Sequence, residues 1–398
     1  MTTPTRFRFL TGDHSTESPG KSYVSAGASH KPYGMHELFS FNKPIGNLQR
    51  VGGVMTPPYT PPNSNFSSSC AKAISTLFEV LFWEEMFMKR VLVSGLVNTE
   101  TTVRVRKFPI DYYPIDYPFF GVDTAVSGVA CNIALALGTL EDDVTLASMT
   151  GRDFPAEYIR HELEAAGLST GHILPSLSQT PSSVVLYDGE GRRQVYCDLK
   201  DIQETAYGFE EGICGGMDLV VACNINFSRP LLRLAKAVGK PIATDVHVLS
   251  RIDDDFNREF MEYADILFLS DEGIGPDYRG FLRALAGTYG NWILVLGRGG
   301  RGAAMYLRED DRIYELPALP VGPVVNTVGA GDALFSAFVH FYAQGLPALE
   351  ALARAELFAS AKIRCSGAAK GFVTGGELEE LYRLHGQTLL SRMKVFPA

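Results

Sequence analysis

The sequence predicts an α/β fold with a mainly parallel central sheet covered by helices on both faces. Two observations lead there. From Lys89 onward, short apolar runs alternate with stretches of helical spacing. Several runs are continuous rather than alternating, as in Val91-Leu92-Val93 or Ile266-Leu267-Phe268-Leu269. Strands of that kind are buried on both faces, the condition of a parallel sheet built from repeated β–α units.

The elements follow in order. "RVLVSGLV" from Arg90 is the first strand, Thr124 to Leu140 contains a helix, and "DVTLASMTG" from Asp143 is a strand. Asp153 to Leu168 has the period of an amphipathic helix, with Tyr158, Ile159, Leu163 and Leu168 on its inner face. "MDLVVACNI", "KPIATDVHV", "ADILFLS" and "NWILVLG" are further strands, with the helix "SRPLLRLAKAVG" between the first two. Ligands of such sheets sit beyond the carboxyl ends of the strands. Two segments break the rhythm. Residues 101–121 and 182–199 read as β-hairpin material punctuated by Pro and Gly, together a small accessory sheet forming a lid over those strand ends.

Residues 1–87 differ. They are rich in Pro, Gly, Ser, Thr and Asn without sustained periodicity, a composition that buries too little apolar surface to offset chain entropy. They read as disordered, or as an extension ahead of a true translation start at Met88, since Trp83-Glu84-Glu85 can be encoded by a purine-rich run resembling a ribosome-binding site. Residues 88–390 then form the folded domain and residues 391–398 a short tail.

Bulk properties narrow the function. A net charge of −9 argues against a general nucleic-acid or membrane-surface binder, though not against a local phosphate site. The six cysteines show no metal-ligand spacing and read as buried free thiols of a reducing cytoplasm. No apolar run is long enough to span a bilayer, and no secretory signal is evident.

Chemistry concentrates in "VVNTVGAGDALFSAFVHF", Val324 to Phe341. Val324 and Val325 read as a strand end. Leu334, Phe335, Phe338 and Phe341 recur at helical spacing, so a helix starts near Gly331. A glycine turn there leaves unpaired N–H groups at the positive helix end, which suits an anion. By itself the turn is equally compatible with Asp332 as a plain helix cap.

The ordered motifs resemble the ribokinase-like sugar and nucleoside kinases of the PfkB family, over roughly Lys89 to Tyr382. Asn326-Thr327-Val328-Gly329-Ala330-Gly331-Asp332 is similar to that family's carboxy-terminal signature. The resemblance implies a three-layer α/β/α sandwich with a β-sheet lid. It also implies Asp332 as general base toward a substrate hydroxyl, the amides of Gly329, Ala330 and Gly331 as an anion hole, and Thr327 at the nucleotide. The physics fits, because phosphoryl transfer needs positioning and charge stabilisation more than covalent chemistry.

The resemblance implies acceptor-binding roles for Asn98 and Glu100 after the first strand, Gly128 and Asn132 in "SGVACN", and Asn224 at a later strand end. Asp245 and His247 fall where the family tends to carry an aspartate and an asparagine, and His247 reads as structural. Gly299 and Gly302 in "GRGGRG", and Gly367 in "CSGAAKGF", correspond to the nucleotide loops. ATP and Mg2+ are the implied cofactors, and a sugar or nucleoside the acceptor, acted on by a monomer or homodimer. Departures are informative. Glu100 stands where Asp is usual, and Ser127 where Gly is usual. The family's N-x-x-E positions hold Ser270 and Gly273 around Asp271 and Glu272. Asn326 replaces a leading aspartate that helps bind K+ in cation-activated relatives, and losing that charge puts K+ activation in doubt. A catalytically weak ligand-binding protein on the same fold is the alternative reading. A nicotinamide dehydrogenase is not, because no G-x-G-x-x-G follows the first strand.

Overall fold

The structure, a computed structural model, describes residues 88–397. The expectations for residues 1–87 lie outside the described residues. Among those described, two sheets form, and their strands are made by differently patterned sequence.

The larger sheet has ten strands. Its parallel part runs β5 (Ile173–Leu174), β4 (Asp143–Met149), β1 (Arg90–Ser94), β8 (Leu219–Ala222), β9 (Ile242–Val248), β10 (Ile266–Ser270) and β11 (Ile293–Gly297). It continues antiparallel through β12 (Ala303–Leu307), β13 (Arg312–Leu316) and β14 (Lys394–Pro397). Alternate side chains leave opposite faces. Val91, Val93, Phe268 and Val295 join one apolar core, while Leu92, Leu267, Leu269 and Leu294 join the other.

Helices cover both faces, giving the expected three layers. One layer holds α1 (Val129–Thr139), α2 (Phe154–Ala165), α6 (Ala330–Ala343), α7 (Ala348–Lys362) and α8 (Gly375–Ser391). The other holds α3 (Arg229–Ala237), α4 (Arg258–Tyr263) and α5 (Tyr278–Thr288). Local signals set the helix starts. Asp153 accepts from the Ala156 amide at 3.2 Å and Pro155 follows inside the first turn of α2. Thr374 and Glu377 form a reciprocal capping box on α8. Of the inner face expected for α2, Ile159, Leu163 and Leu168 are buried and Tyr158 is partly so.

The smaller sheet runs β3 (Val122–Ser127), β2 (Asn98–Arg104), β6 (Ser182–Tyr187) and β7 (Arg193–Asp198). The expected accessory sheet is present, with different arms. Its first hairpin pairs 98–104 with 122–127, and residues 105–121 connect them without strand structure. Pro109, Pro114 and Pro118 lack the N–H that a ladder needs.

Other expectations change. Val324 and Val325 form no strand and are more than half exposed. Pro317, Pro320 and Pro323 interrupt pairing, and the segment is held instead by the amides of Val325 and Asn326 donating to the Ile363 carbonyl. Residues 394–397, read as tail, pair with β13 along the sheet edge. Cys197 and Cys365 are exposed, whereas Cys131, Cys214 and Cys223 are buried as expected.

Candidate active site

The chain leaves the middle of the large sheet at β1, which has β8 on one side and β4 on the other. Connections therefore wind in opposite directions from β1, the place where open α/β sheets form a ligand crevice. Beyond Ser94 the chain passes directly into β2 of the small sheet, which brings lid residues over this crevice.

At the crevice lies the start of α6. Gly329, in the left-handed region at φ 78°, is its N-cap. A Cβ there would lie 2.4 Å from the Ala368 carbonyl oxygen, so both the conformation and the close approach require glycine. The amides of Gly329, Gly331 and Asp332 have no backbone acceptor among the described residues, and no side chain caps them. They are open donors at the positive end of a fourteen-residue helix.

Asp332 follows in the first turn of α6. Its Oδ2 accepts from Asn132 Nδ2 at 2.7 Å. Gly128 makes this meeting possible: at φ 105°, with a would-be Cβ 2.5 Å from the Leu96 carbonyl, it lets α1 start tight against the β1–β2 connection. The network extends into the lid. Ser127 Oγ is 3.3 Å from Glu100 Oε2 and 3.4 Å from Asn132 Oδ1, and its single proton serves one acceptor at a time.

Burial raises the pKa of both carboxyls above the usual carboxylate range, and the charge of Asp332 adds to the rise at Glu100. The His247 imidazole, the Asn132 hydrogen bond and the Lys362 ammonium pull Asp332 back down. A raised carboxyl beside open amide donors can accept a proton from a hydroxyl and hold an anion in one place.

Asn98 sits at the lid base, donating to Ser183 Oγ at 3.2 Å, while its own Oδ1 is buried without a partner, as for a ligand hydroxyl. Asn224 stands apart from this network. Its amide donates to Asn257 Oδ1 at 3.1 Å, beside the start of α4. Thr327 is exposed and accepts from Arg193 Nη1 of β7 at 3.3 Å, a direct lid-to-turn contact. Gly299 lies exposed on the β11–β12 turn. Gly302 is buried, and its Cβ would fall 2.1 Å from the Leu316 carbonyl, so close packing of β12 on β13 alone demands glycine there. Gly367, at φ 91°, lies in the turn after α7. His247, also left-handed at φ 58°, donates its amide to Asp245 Oδ1.

The acidic pair after β10 is occupied. Asp271 is bonded to Arg301, and Glu272 is 3.8 Å from Arg193. Among the described residues no group of three or more His, Cys, Asp or Glu could hold a metal ion. Nor is any helix there long and apolar enough to cross a membrane.

Sequence reasoning missed Lys362. It closes α7, is fully buried, and its ammonium donates to the carbonyls of Val328 and Gly367, at 2.8 Å for the latter. Burial lowers its pKa to about 8. A lysine in a last helical turn ordinarily reaches solvent, so only the apolar context of "LFASAK" hinted otherwise.

Comparison with known proteins places the chain in a kinase family. The family description "pfkB family carbohydrate kinase" matches residues 88–374. An ATP-dependent ribose-1-phosphate kinase of Halopiger xanaduensis is 26% identical over 258 residues, covering 63% of this chain and 84% of its own. A 1-phosphofructokinase of Haloferax volcanii is 28% identical over 255 residues, 60% of this chain and 80% of its own. Among solved structures, a microbiome-derived acarbose kinase has the same fold at a TM-score of 0.66 and 24% identity, covering 74% of this chain and 99% of its own.

Proposed function

The chain belongs to the pfkB family of carbohydrate kinases, and from that premise we propose that it transfers the γ-phosphoryl of ATP to an alcohol group of a sugar or nucleoside. Asp332 is the general base, and the open amides of Gly329, Gly331 and Asp332 form the anion hole, the Ala330 amide expected there being spent on the Thr327 carbonyl at 3.2 Å. The observation carrying this reading is the junction at α6, where a carboxylate fixed by Asn132 adjoins the open amides of Gly329, Gly331 and Asp332.

The acceptor sits under the lid, its hydroxyls exchanged among Asn98, Glu100 and Asn132. The unpartnered Oδ1 of Asn98 and the shared Ser127 proton leave hydrogen-bonding capacity for a polyol. Binding orients one hydroxyl toward Asp332, which takes its proton as the oxygen attacks the terminal phosphorus. The anion-hole amides hold the transferring group, and phosphate bonds to Thr327 and the Gly367 turn steady the nucleotide. Mg2+ would arrive with the nucleotide phosphates, since Asp271 and Glu272 are engaged by arginines.

The full chain incubated with ATP, Mg2+ and a panel of sugars, sugar phosphates and nucleosides tests this. ADP release with at least one acceptor, abolished in Asp332→Asn, is the expected result. Acceptor binding without ADP release would favour a catalytically weak ligand-binding protein, the reading that the arginine-bound acidic pair supports.

A further inference from the structure

Lys362 is buried without a carboxylate in contact. No ion pair to it forms among the described residues, and Asp332 and Glu100 act on it only through space. Burying an ammonium against neutral groups is costly unless strong acceptors replace its water. Here two peptide carbonyls do so, those of Val328 and Gly367. Neutral oxygens turned inward on a single positive charge are the surroundings in which proteins hold dehydrated monovalent cations. In this chain the charge is covalently attached.

The two carbonyls belong to the loops that build the anion hole. Val328 directly precedes Gly329, and its amide is fixed by Asn326 Oδ1 at 2.9 Å. Gly367 adjoins Ala368, whose carbonyl is in the tight contact with Gly329. The ammonium therefore ties both sides of the turn together from beneath. It has a second effect on the donors. In a regular helix the Val328 carbonyl would accept from the Asp332 amide, four residues on. Here that carbonyl faces Lys362, and the Asp332 amide has no backbone partner.

Asn326 fits the same arrangement. A carboxylate at this position would supply charge for a dissociable ion, whereas the neutral amide adds none. An exogenous cation placed beside the ammonium would be repelled by it.

We propose that Lys362 serves as the protein's own monovalent cation, filling the carbonyl-lined hole beneath the anion-binding turn, so that nucleotide binding needs no K+ or other added monovalent ion. This rests on the kinase reading above. It makes Lys362 a positioning residue, acting on the phosphates through the amides of Gly329 to Asp332 and as a fixed charge below them.

The test is the affinity of the full chain for a fluorescent ATP analogue with Mg2+, by anisotropy, in KCl, NaCl, ammonium chloride or choline chloride at equal ionic strength. Wild type binds with a Kd constant within about twofold across the salts. Lys362→Ala, which opens the hole, binds about tenfold or more weakly in choline and is restored saturably by ammonium or K+. Lys362→Met, which fills the hole without charge, is weakened and not restored by any ion. Thermal melting reports that each variant is folded. Tightening of wild-type affinity by more than about fivefold in K+ over choline overturns the proposal, as does unweakened binding by folded Lys362→Met. If neither variant folds, the wild-type salt series alone decides. A wild type that binds no nucleotide in any salt overturns the kinase reading and this one with it. Ion-dependent binding overturns this one alone.

Discussion

The large sheet and the lid sheet use their strands in opposite ways. β1, β8, β10 and β11 are buried along nearly their whole length, so their side chains are committed to packing against two helical layers. Open backbone donors at the large sheet lie instead in the turn beyond its strand ends, at the start of α6. β2 of the lid alternates: Asn98, Glu100 and Thr102 turn inward, and its neighbours contribute Ser127 and Ser183 to the same polar face. β7 is exposed throughout. On the proposed reading, phosphoryl handling would rest on a backbone feature of the large sheet, and acceptor recognition on lid side chains outside its two apolar cores. Substitutions on either side strain that division.

Asp332→Asn keeps the size and the Asn132 contact but removes basicity. Turnover should fall by about 10²–10⁴-fold. Folding stability should rise at neutral pH, and the sign follows from the pKa. The folded state holds this carboxyl above its usual value, so its favourable contribution is present at low pH and is lost as pH rises through the raised pKa. Asparagine avoids that loss, and a melting temperature higher by about 1–3 °C is expected. A variant that is both inactive and destabilised would show Asp332 to be a structural cap.

Phe338→Ala and Tyr196→Ala compare the two regions directly. Phe338 is fully buried on α6 against Phe268 of β10, ring centroids 5.3 Å apart. Its truncation should cost about 3–5 kcal/mol in denaturant unfolding. Tyr196, 54% exposed on β7, should cost within about 0.5 kcal/mol. Equal losses would mean that the lid is part of the folding core.

The alternating layers were legible from the sequence because β1, β10 and β11 are continuous apolar runs of the kind only a two-sided sheet buries. The start of α6 was legible because apolar residues recur at helical spacing after the glycine turn, whereas the turn alone suited an anion site and a helix cap equally. Legibility failed where a residue's role depends on distant partners. β14 is four residues with a terminal proline, and nothing local predicts that it finds β13. Gly302 was read for nucleotide binding, yet its contact with Leu316 shows a packing requirement invisible in a glycine count. Asn224 carries the right functional group, but its amide is engaged by Asn257. Lys362 resembles any helix-end lysine until α6 and the 365–371 turn close around it.

Glu100→Gln probes the lid side of the division. The substitution keeps the shape, removes the charge of a carboxylate that Ser127 reaches at 3.3 Å, and turns one of its two acceptor oxygens into a donor. Acceptor KM should rise by about tenfold, the value of one charge-assisted hydrogen bond, while affinity for the ATP analogue stays within about twofold. A parallel loss of nucleotide affinity would join the two regions into one coupled site.

The smallest effect separates a charge at Lys362 from mere packing there. Its pKa falls from 10.5 to about 8 through burial, with Asp332 on α6, Glu100 on β2 and the Cys365 thiol opposing that fall. Because the folded state releases this proton before the unfolded state does, the group's contribution to folding stability improves as pH rises from about 8 towards 10.5. Nucleotide affinity should move the other way as pH rises through about 8, declining towards that of Lys362→Met as the ammonium is lost from beneath the anion hole. Melting curves and analogue titrations at pH 7, 8 and 9 (about one unit either side of the midpoint), with Lys362→Met as the flat reference, measure both. A side chain that only filled space would leave wild type and Lys362→Met with the same pH profile of affinity. Divergence between affinity and stability requires the positive charge itself.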